Sequence, residues 1–326
     1  MTKKQLTSLG SRDKRHSESC STQASTASAP LRFFDIFSGI GGFKLGLERA
    51  GFKSIGYCDN NTHAVKLYNA YYNTEKELYF NDITTIDTKD LPDFDILCAG
   101  FPCQPFSISG KRQGFSDTRG TMFFEIERIL KDKKPKYFIL ENVRGLLNHE
   151  GGRTFEVIIN SLNNIGYSVQ WQLLNSKFFG VPQNRERVYI VGCLGKECPP
   201  KIFPINGIAS EKVKSINSYK FIKRGSQSNV AYSPDGIIGC LTTGCQGFIG
   251  DTPACEVKEP KDVTFRRPTP LECFRIQGFP DDMVAKAKEI GISDTQLYHM
   301  AGNAVTVNVI EAVAKKLAEA IKNDET

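Results

Sequence analysis

Arg32-Phe33-Phe34-Asp35-Ile36-Phe37-Ser38-Gly39-Ile40-Gly41-Gly42 is the stretch that decides the fold. Its first six residues read as a buried strand. The strand runs into a glycine turn and then a helical stretch to Ala50, which Gly51 closes as a C-cap. Downstream the same alternation repeats. Strands are predicted at 54–59, 78–82, 95–100 and 137–143, and helices at 62–72, 121–132 and 153–166, before two more strands at 168–176 and 188–194. Such alternation predicts an α/β fold with a mostly parallel sheet. Residues 195–265 then turn rich in Gly, Pro, Lys and Ser, as expected of a smaller, irregular or β-rich region. Helical signals return at 270–276 and 304–321. The last has Val305, Val309, Val313, Leu317 and Ile321 at every fourth place, the pattern of a core-packing helix.

Upstream of Leu31 the chain is dense in Ser and Thr without hydrophobic periodicity, so residues 1–30 are expected to be a disordered tail. The 326 residues carry a net charge of +6, unevenly placed. Residues 1–30 hold five basic against two acidic side chains, and residues 196–230 hold seven against two. The excesses of +3 and +5 leave the rest at −2, a distribution compatible with nucleic acid, although charge alone leaves a solvated basic face as the plainer reading. Apolar runs are short and no signal segment stands near the N-terminus, so no membrane association is expected. The ten cysteines form no C-x-x-C pair, and the four histidines are scattered. A reducing, cytoplasmic compartment and no metal are therefore expected, with most cysteines acting as small buried hydrophobes.

Ligands of an open α/β sheet bind outside the carboxyl ends of its strands. Here those ends carry the Gly39-x-Gly41-Gly42 turn, Asp59, Asp82, Gly100-Phe101-Pro102-Cys103-Gln104 and Glu141-Asn142-Val143. The turn lets a ligand approach the backbone, though Lys44 stands where a dinucleotide fingerprint has its third glycine. An acid at the end of the second strand commonly holds ribose hydroxyls, so Asp59 favours a nucleoside-containing cofactor. Asp82 suits an adenine amino group or a plain helix cap. Cys98 lies inside an apolar strand and is expected to be inert. Cys103 follows Pro102 on a loop that also bears Lys111, Arg112 and Arg119, a setting that suits a nucleophilic thiolate as well as an incidental loop cysteine. Glu141 supplies a carboxyl group for acid–base work.

Gly100-Phe-Pro-Cys-Gln-Pro-Phe-Ser107, Glu141-Asn-Val143 and Gln183-Asn-Arg-Glu-Arg187, together with the Asp35–Gly42 turn, Arg266–Pro280 and Ala301-Gly-Asn-Ala-Val305, resemble in order and spacing the DNA (cytosine-5) methyltransferases. The likeness is closest to the short bacterial restriction–modification type and spans about residues 31 to 322. It implies a Rossmann-like S-adenosylmethionine-dependent methyltransferase domain, residues 31–194 plus 300–326, with a smaller target-recognition domain and hinge at 195–299. It implies double-stranded DNA as partner, a monomer, possible company of a separately acting restriction endonuclease, and a cytoplasmic, nucleoid-associated location. By the same resemblance Cys103 adds to C6 of a flipped-out cytosine, Glu141 engages N3 and the exocyclic amine, and Arg187 with Arg185 binds O2. The donor, released as S-adenosylhomocysteine, would sit against Phe37, Gly39, Ile40, Gly41, Gly42, Asp59, Asn60, Asp82, Ile83, Pro102, Met122, Asn303 and Ala304. Ser107, Ser109, Lys111, Arg112 and Arg119 would meet DNA, and Gln227 would fill the space the base vacates.

Two positions depart from the family pattern. Asn60 stands where an aromatic often stacks on adenine, and Cys240-Leu241-Thr242 stands where Thr-Leu is usual. A tRNA cytosine-5 methyltransferase is the nearest alternative, weakened by the retained recognition segment. A catalytically inactive DNA-binding relative is another, weakened by the full catalytic set. Amino methyltransferases are disfavoured because Phe-Pro-Cys-Gln replaces their Asp/Asn-Pro-Pro-aromatic loop.

Overall fold

The computed structural model describes residues 29–102, 121–195, 202–207, 218–220, 230–232, 237–243, 248–250 and 265–324. In chain order β1 (Arg32–Ile36), α1 (Gly42–Arg49), β2 (Lys53–Cys58), α2 (Thr62–Tyr71), β3 (Leu78–Phe80), β4 (Ile96–Gly100), α3 (Thr121–Lys133) and β5 (Tyr137–Val143) follow the expected alternation. They are followed by α4 (Arg153–Asn164), β6 (Tyr167–Asn175), β7 (Gln183–Asn184) and β8 (Glu186–Leu194). Seven strands form one sheet in the order β3-β2-β1-β4-β5-β8-β6. The first five are parallel, while β8 runs antiparallel between β5 and β6. The mixed sheet with helices on both faces is the Rossmann-like α/β arrangement that the sequence led us to expect.

Strand alternation sends successive side chains to opposite faces. Phe33, Ile96, Cys98, Tyr137, Ile139, Tyr189 and Val191 therefore share one core layer. Phe34, Leu97, Ala99, Phe138, Leu140, Val188 and Ile190 share the other. α8 (Val307–Asp324) covers the first face with Val309, Val313, Leu317 and Ile321, so the every-fourth pattern is a core stripe. Val305 is buried in that layer but precedes the helix. α3 and α4 cover the second face through Ile126, Leu130, Ile158 and Leu162.

Short strands β9 (Ser218–Lys220), β10 (Val230–Tyr232), β12 (Phe248–Gly250) and β13 (Phe265–Arg266) form a separate sheet, and β11 (Ile238–Gly239) pairs with β7. Between the two helical signals read from sequence lie two further helices. α5 (Pro270–Ile276) is followed by α6 (Asp281–Glu289) and α7 (Asp294–Asn303). Phe274, Met283 and Leu297 of these helices bury against Ile40, Ala64 and Leu67, which brings the chain after residue 265 back to the glycine turn.

Candidate active site

A cleft of about 420 Å³ opens along the carboxyl edge of β1, β2, β4 and β5. The glycine turn forms one wall. Gly39 and Gly41 have φ of 53° and 83°, and Phe37 also adopts a left-handed conformation at φ 58°. These left-handed residues turn the chain between the end of β1 at Ile36 and the start of α1 at Gly42. Gly41 N donates to Ser38 O at 2.8 Å, and Tyr72 Oη, from the residue that follows α2, donates to Ile40 O at 3.1 Å and latches the turn. This latch had no signal in the sequence, because it joins residues that only folding brings together.

Asp59 ties β2 to that turn. Its Oδ2 accepts from Gly39 N at 2.7 Å and its Oδ1 from Asn61 N at 2.8 Å. Burial pushes its carboxyl upward, and the two N–H donors pull it back. Each oxygen keeps a second lone pair for a ligand hydroxyl. A Cβ added at Gly39 would meet nothing within 4 Å, so the turn is open to close approach.

Glu141 faces this wall from β5. Gly100 pairs with Glu141 across β4 and β5, and a Cβ at Gly100 would lie 3.6 Å from Glu141 Oε2. The antiparallel direction of β8 explains Arg187. The start of β8 meets the end of β5, with Val143 opposite Arg187, so a residue early in one strand joins the carboxyl edge of the others. Arg187 Nε lies 3.1 Å from Glu141 Oε1, but the N–H is not aimed at it, and Oε1 is buried without a hydrogen bond. Burial raises the Glu141 carboxyl above its ordinary range, against the pull of Arg187 and then Arg185. Asn142 Nδ2 donates to Phe101 O at 3.0 Å and so fixes the backbone just before Pro102.

The cleft brings together Phe37, Gly39, Ile40, Gly42, Asp59, Asn60, Pro102, Glu141, Arg185, Arg187, Asn303 and Ala304. Gly41 does not line it and is packed against the Tyr72 ring. Asp82 and Ile83 are outside its lining, as is Met122. Asp82 caps a short helical turn, its Oδ1 accepting from Thr84 N at 2.9 Å. Cys103, Ser107, Ser109, Lys111, Arg112, Arg119 and Gln227 lie outside the described residues. Of the described cysteines, Cys58, Cys98, Cys193 and Cys273 are buried. Burial pushes the Cys58 thiol up to about 12 and the Cys98 thiol well above its ordinary value, which disfavours the thiolate in both.

Sequence reading missed a buried polar network that holds the cleft together. Gln183 Nε2 donates to Ile276 O and to Gln277 Oε1, both at 3.2 Å. Gln277 Nε2 donates to Ala301 O at 2.7 Å, and Gln277 Oε1 also accepts from Thr306 Oγ1 at 2.9 Å. Gln183 and Gln277 sit inside the motifs quoted above, but residue type and spacing alone do not show that their side chains meet.

Residues 31–238 and 210–319 match the family described as C-5 cytosine-specific DNA methylase. Type II methyltransferase M.HaeII of Haemophilus aegyptius is 40% identical over 306 residues, which cover 88% of this chain and 92% of that protein. Type II methyltransferase M.HhaI of Haemophilus parahaemolyticus is 33% identical, over 89% of this chain and 95% of that one. The solved structure of S. pombe Dnmt2 methyltransferase is similar with a TM-score of 0.71 at 21% identity, over 91% of this chain and 100% of that chain, a likeness of fold alone.

Proposed function

The chain belongs to the C-5 cytosine-specific DNA methylase family and is a DNA (cytosine-5) methyltransferase, and from that premise we propose how its residues carry the reaction. The target is a cytosine flipped out of double-stranded DNA at a short specific sequence, because its ring atoms are unreachable inside the stack. The Cys103 thiolate forms a bond to C6, and the C5–C6 π pair moves to C5. Glu141, donating a proton or hydrogen bond to N3 and accepting from the exocyclic amine, relieves the negative charge that addition delivers to the ring. Arg187 donates to O2 and offsets negative charge there, whereas Arg185, expected from the sequence to share that role, spends its Nη donors on Leu241 O, Gly302 O and Ala304 O. Carbon 5 takes the methyl group, its proton passes to solvent water, any proton given to N3 returns to Glu141, and the freed pair restores the C5–C6 double bond and expels the thiolate.

S-adenosylmethionine supplies the electrophilic methyl when bound and leaves as S-adenosylhomocysteine. The cleft suits it: the open glycine turn admits close approach, and Asp59 keeps acceptor capacity for a ribose diol. Phe37, Ile40, Asn60, Pro102, Asn303 and Ala304 would complete its walls. Gly41, Asp82, Ile83 and Met122, also expected there from sequence, stand outside that lining. The loop bearing Cys103, Ser107, Ser109, Lys111, Arg112 and Arg119 would close on DNA, with Gln227 in the vacated space. Residues 195–299 would form the recognition domain and hinge, and a monomer acting beside a separate restriction endonuclease is the arrangement we favour.

The observation that carries the reading is the buried Glu141 carboxyl, paired to Arg187 beside Gly100, three residues before Cys103. Incubation with labelled donor and either DNA or tRNA tests the substrate, and label in tRNA alone would overturn it. Bisulfite sequencing of the treated DNA returns the site. A duplex with 5-fluorocytosine at that site should trap a covalent adduct that Cys103→Ser loses. An adduct persisting in that variant would reassign the nucleophile.

A further inference from the structure

Arg185 stands in the cleft wall yet is only 3% exposed, because its guanidinium is turned into the protein. Nη1 donates to Leu241 O at 3.1 Å and to Cys240 Sγ at 3.4 Å. Nη2 donates to Gly302 O at 3.1 Å and to Ala304 O at 2.9 Å. The first pair of acceptors belongs to a strap, residues 237–243, within the segment assigned above to DNA recognition. The second pair belongs to the end of α7, where Asn303 and Ala304 line the donor cleft.

The strap is anchored on the catalytic side at several points. Ile238 N donates to Pro182 O at 2.8 Å, and Leu241 N to Gln183 Oε1 at 3.0 Å. Arg187 Nη2 also reaches Cys240 Sγ at 3.7 Å. Strap and turn touch directly, since a Cβ on Gly302 would fall 2.4 Å from the Thr242 carbonyl carbon. One rigid, planar fork thus serves two segments, two contacts to each. If either segment shifted alone, buried donors and carbonyls would lose partners that water could not replace.

We propose that Arg185 is a positioning residue that couples DNA on the recognition segment to the S-adenosyl ligand in the cleft, by holding strap and turn in the one arrangement that both ligands favour. Each ligand then tightens the other by the same factor. The inference rests on the assignment of donor and DNA made above.

The test measures the dissociation constant of S-adenosylhomocysteine for the full chain by calorimetry. It is read without DNA and with a duplex carrying the site found by bisulfite sequencing. The wild type should bind more tightly with DNA by a factor within about 5–150, the usual span of such coupling. Arg185→Lys keeps the charge but loses the fork, and Gly302→Ala wedges the strap off the turn. In both the ratio should fall toward unity. Cys240→Ala, at a half-exposed position, should lower it less, and it carries the test if the other two fail to fold. General loosening of the structure would weaken both binding constants and leave the ratio intact. A ratio unchanged in the folded variants, or a wild-type ratio of unity, overturns the proposal. No binding of S-adenosylhomocysteine to the wild type would instead sink the donor assignment.

Discussion

At the scale of single residues, two buried carboxyls divide the work differently. Burial raises the Glu141 carboxyl while Arg187 beside it pulls the other way, a balance that suits the proposed role of protonating or hydrogen-bonding the base. Glu141→Gln can still hydrogen-bond but cannot deliver a proton. It should slow single-turnover methylation by about 10²–10⁴, the usual worth of acid–base assistance, with little change in S-adenosylhomocysteine affinity; an unchanged rate would remove Glu141 from the chemistry. Asp35 has no such partner. It is fully buried, neither carboxyl oxygen accepts an aligned hydrogen bond, and burial, then Asp59, push its carboxyl well above the usual range, against Lys44. Because the folded state holds this proton more tightly, the unfolded chain releases it first, and stability falls as pH rises above the ordinary Asp value of 3.8. Asp35→Asn should remove that fall, so urea unfolding should show the variant gaining on the wild type as the pH is raised from about 3.8. The sequence could single out Glu141 because it stands at a strand end within a motif. It was silent on the Asp35 environment and on the partners of Arg185, because both depend on contacts between distant segments.

At the scale of elements, most strands and helices were legible within a residue or two, because period-two and period-four apolar patterns coincide with real faces. The direction of β8 was not. Its run of apolar residues is buried on both faces, and burial carries no mark of polarity along the strand. That direction is what delivers Arg187 to Glu141. α6 was missed because Asp281, Asp282, Lys286 and Lys288 break up its apolar signal, leaving Met283, Val284 and Ala287 as its buried contribution. α1 against α8 shows packing overruling propensity. A Cβ at Gly46 would lie 2.6 Å from Ile310 Cγ2 and 2.9 Å from the Glu311 backbone nitrogen. Gly46→Ala gains about 1 kcal/mol in helix propensity. The overpacking that it forces typically costs about 1–3 kcal/mol. Urea denaturation should therefore find the variant less stable than the wild type, and a stabilised variant would mean that the two helices can separate freely.

At the scale of the whole molecule, the +6 of the chain is a poor guide to where DNA is held. The excess is concentrated in residues 1–30 and 196–230, and the remainder is slightly acidic. The proposed function divides into two tasks. The first is chemistry on one base, governed by buried groups that salt barely screens. The second is phosphate contact, governed by counterion release. The two tasks should come apart experimentally. Replacing Lys212 and Lys214 by Gln should flatten the dependence of log affinity on log salt by about 0.9 for each phosphate contact removed, while the affinity for S-adenosylhomocysteine without DNA stays at the wild-type value. Lys315 and Lys316 on α8 are paired with Glu311 and Glu319, and the same change there should leave the slope alone. DNA binding measured by fluorescence anisotropy across a salt series checks both. Equal slopes for the two double variants would show that the basic segment is a solvated face.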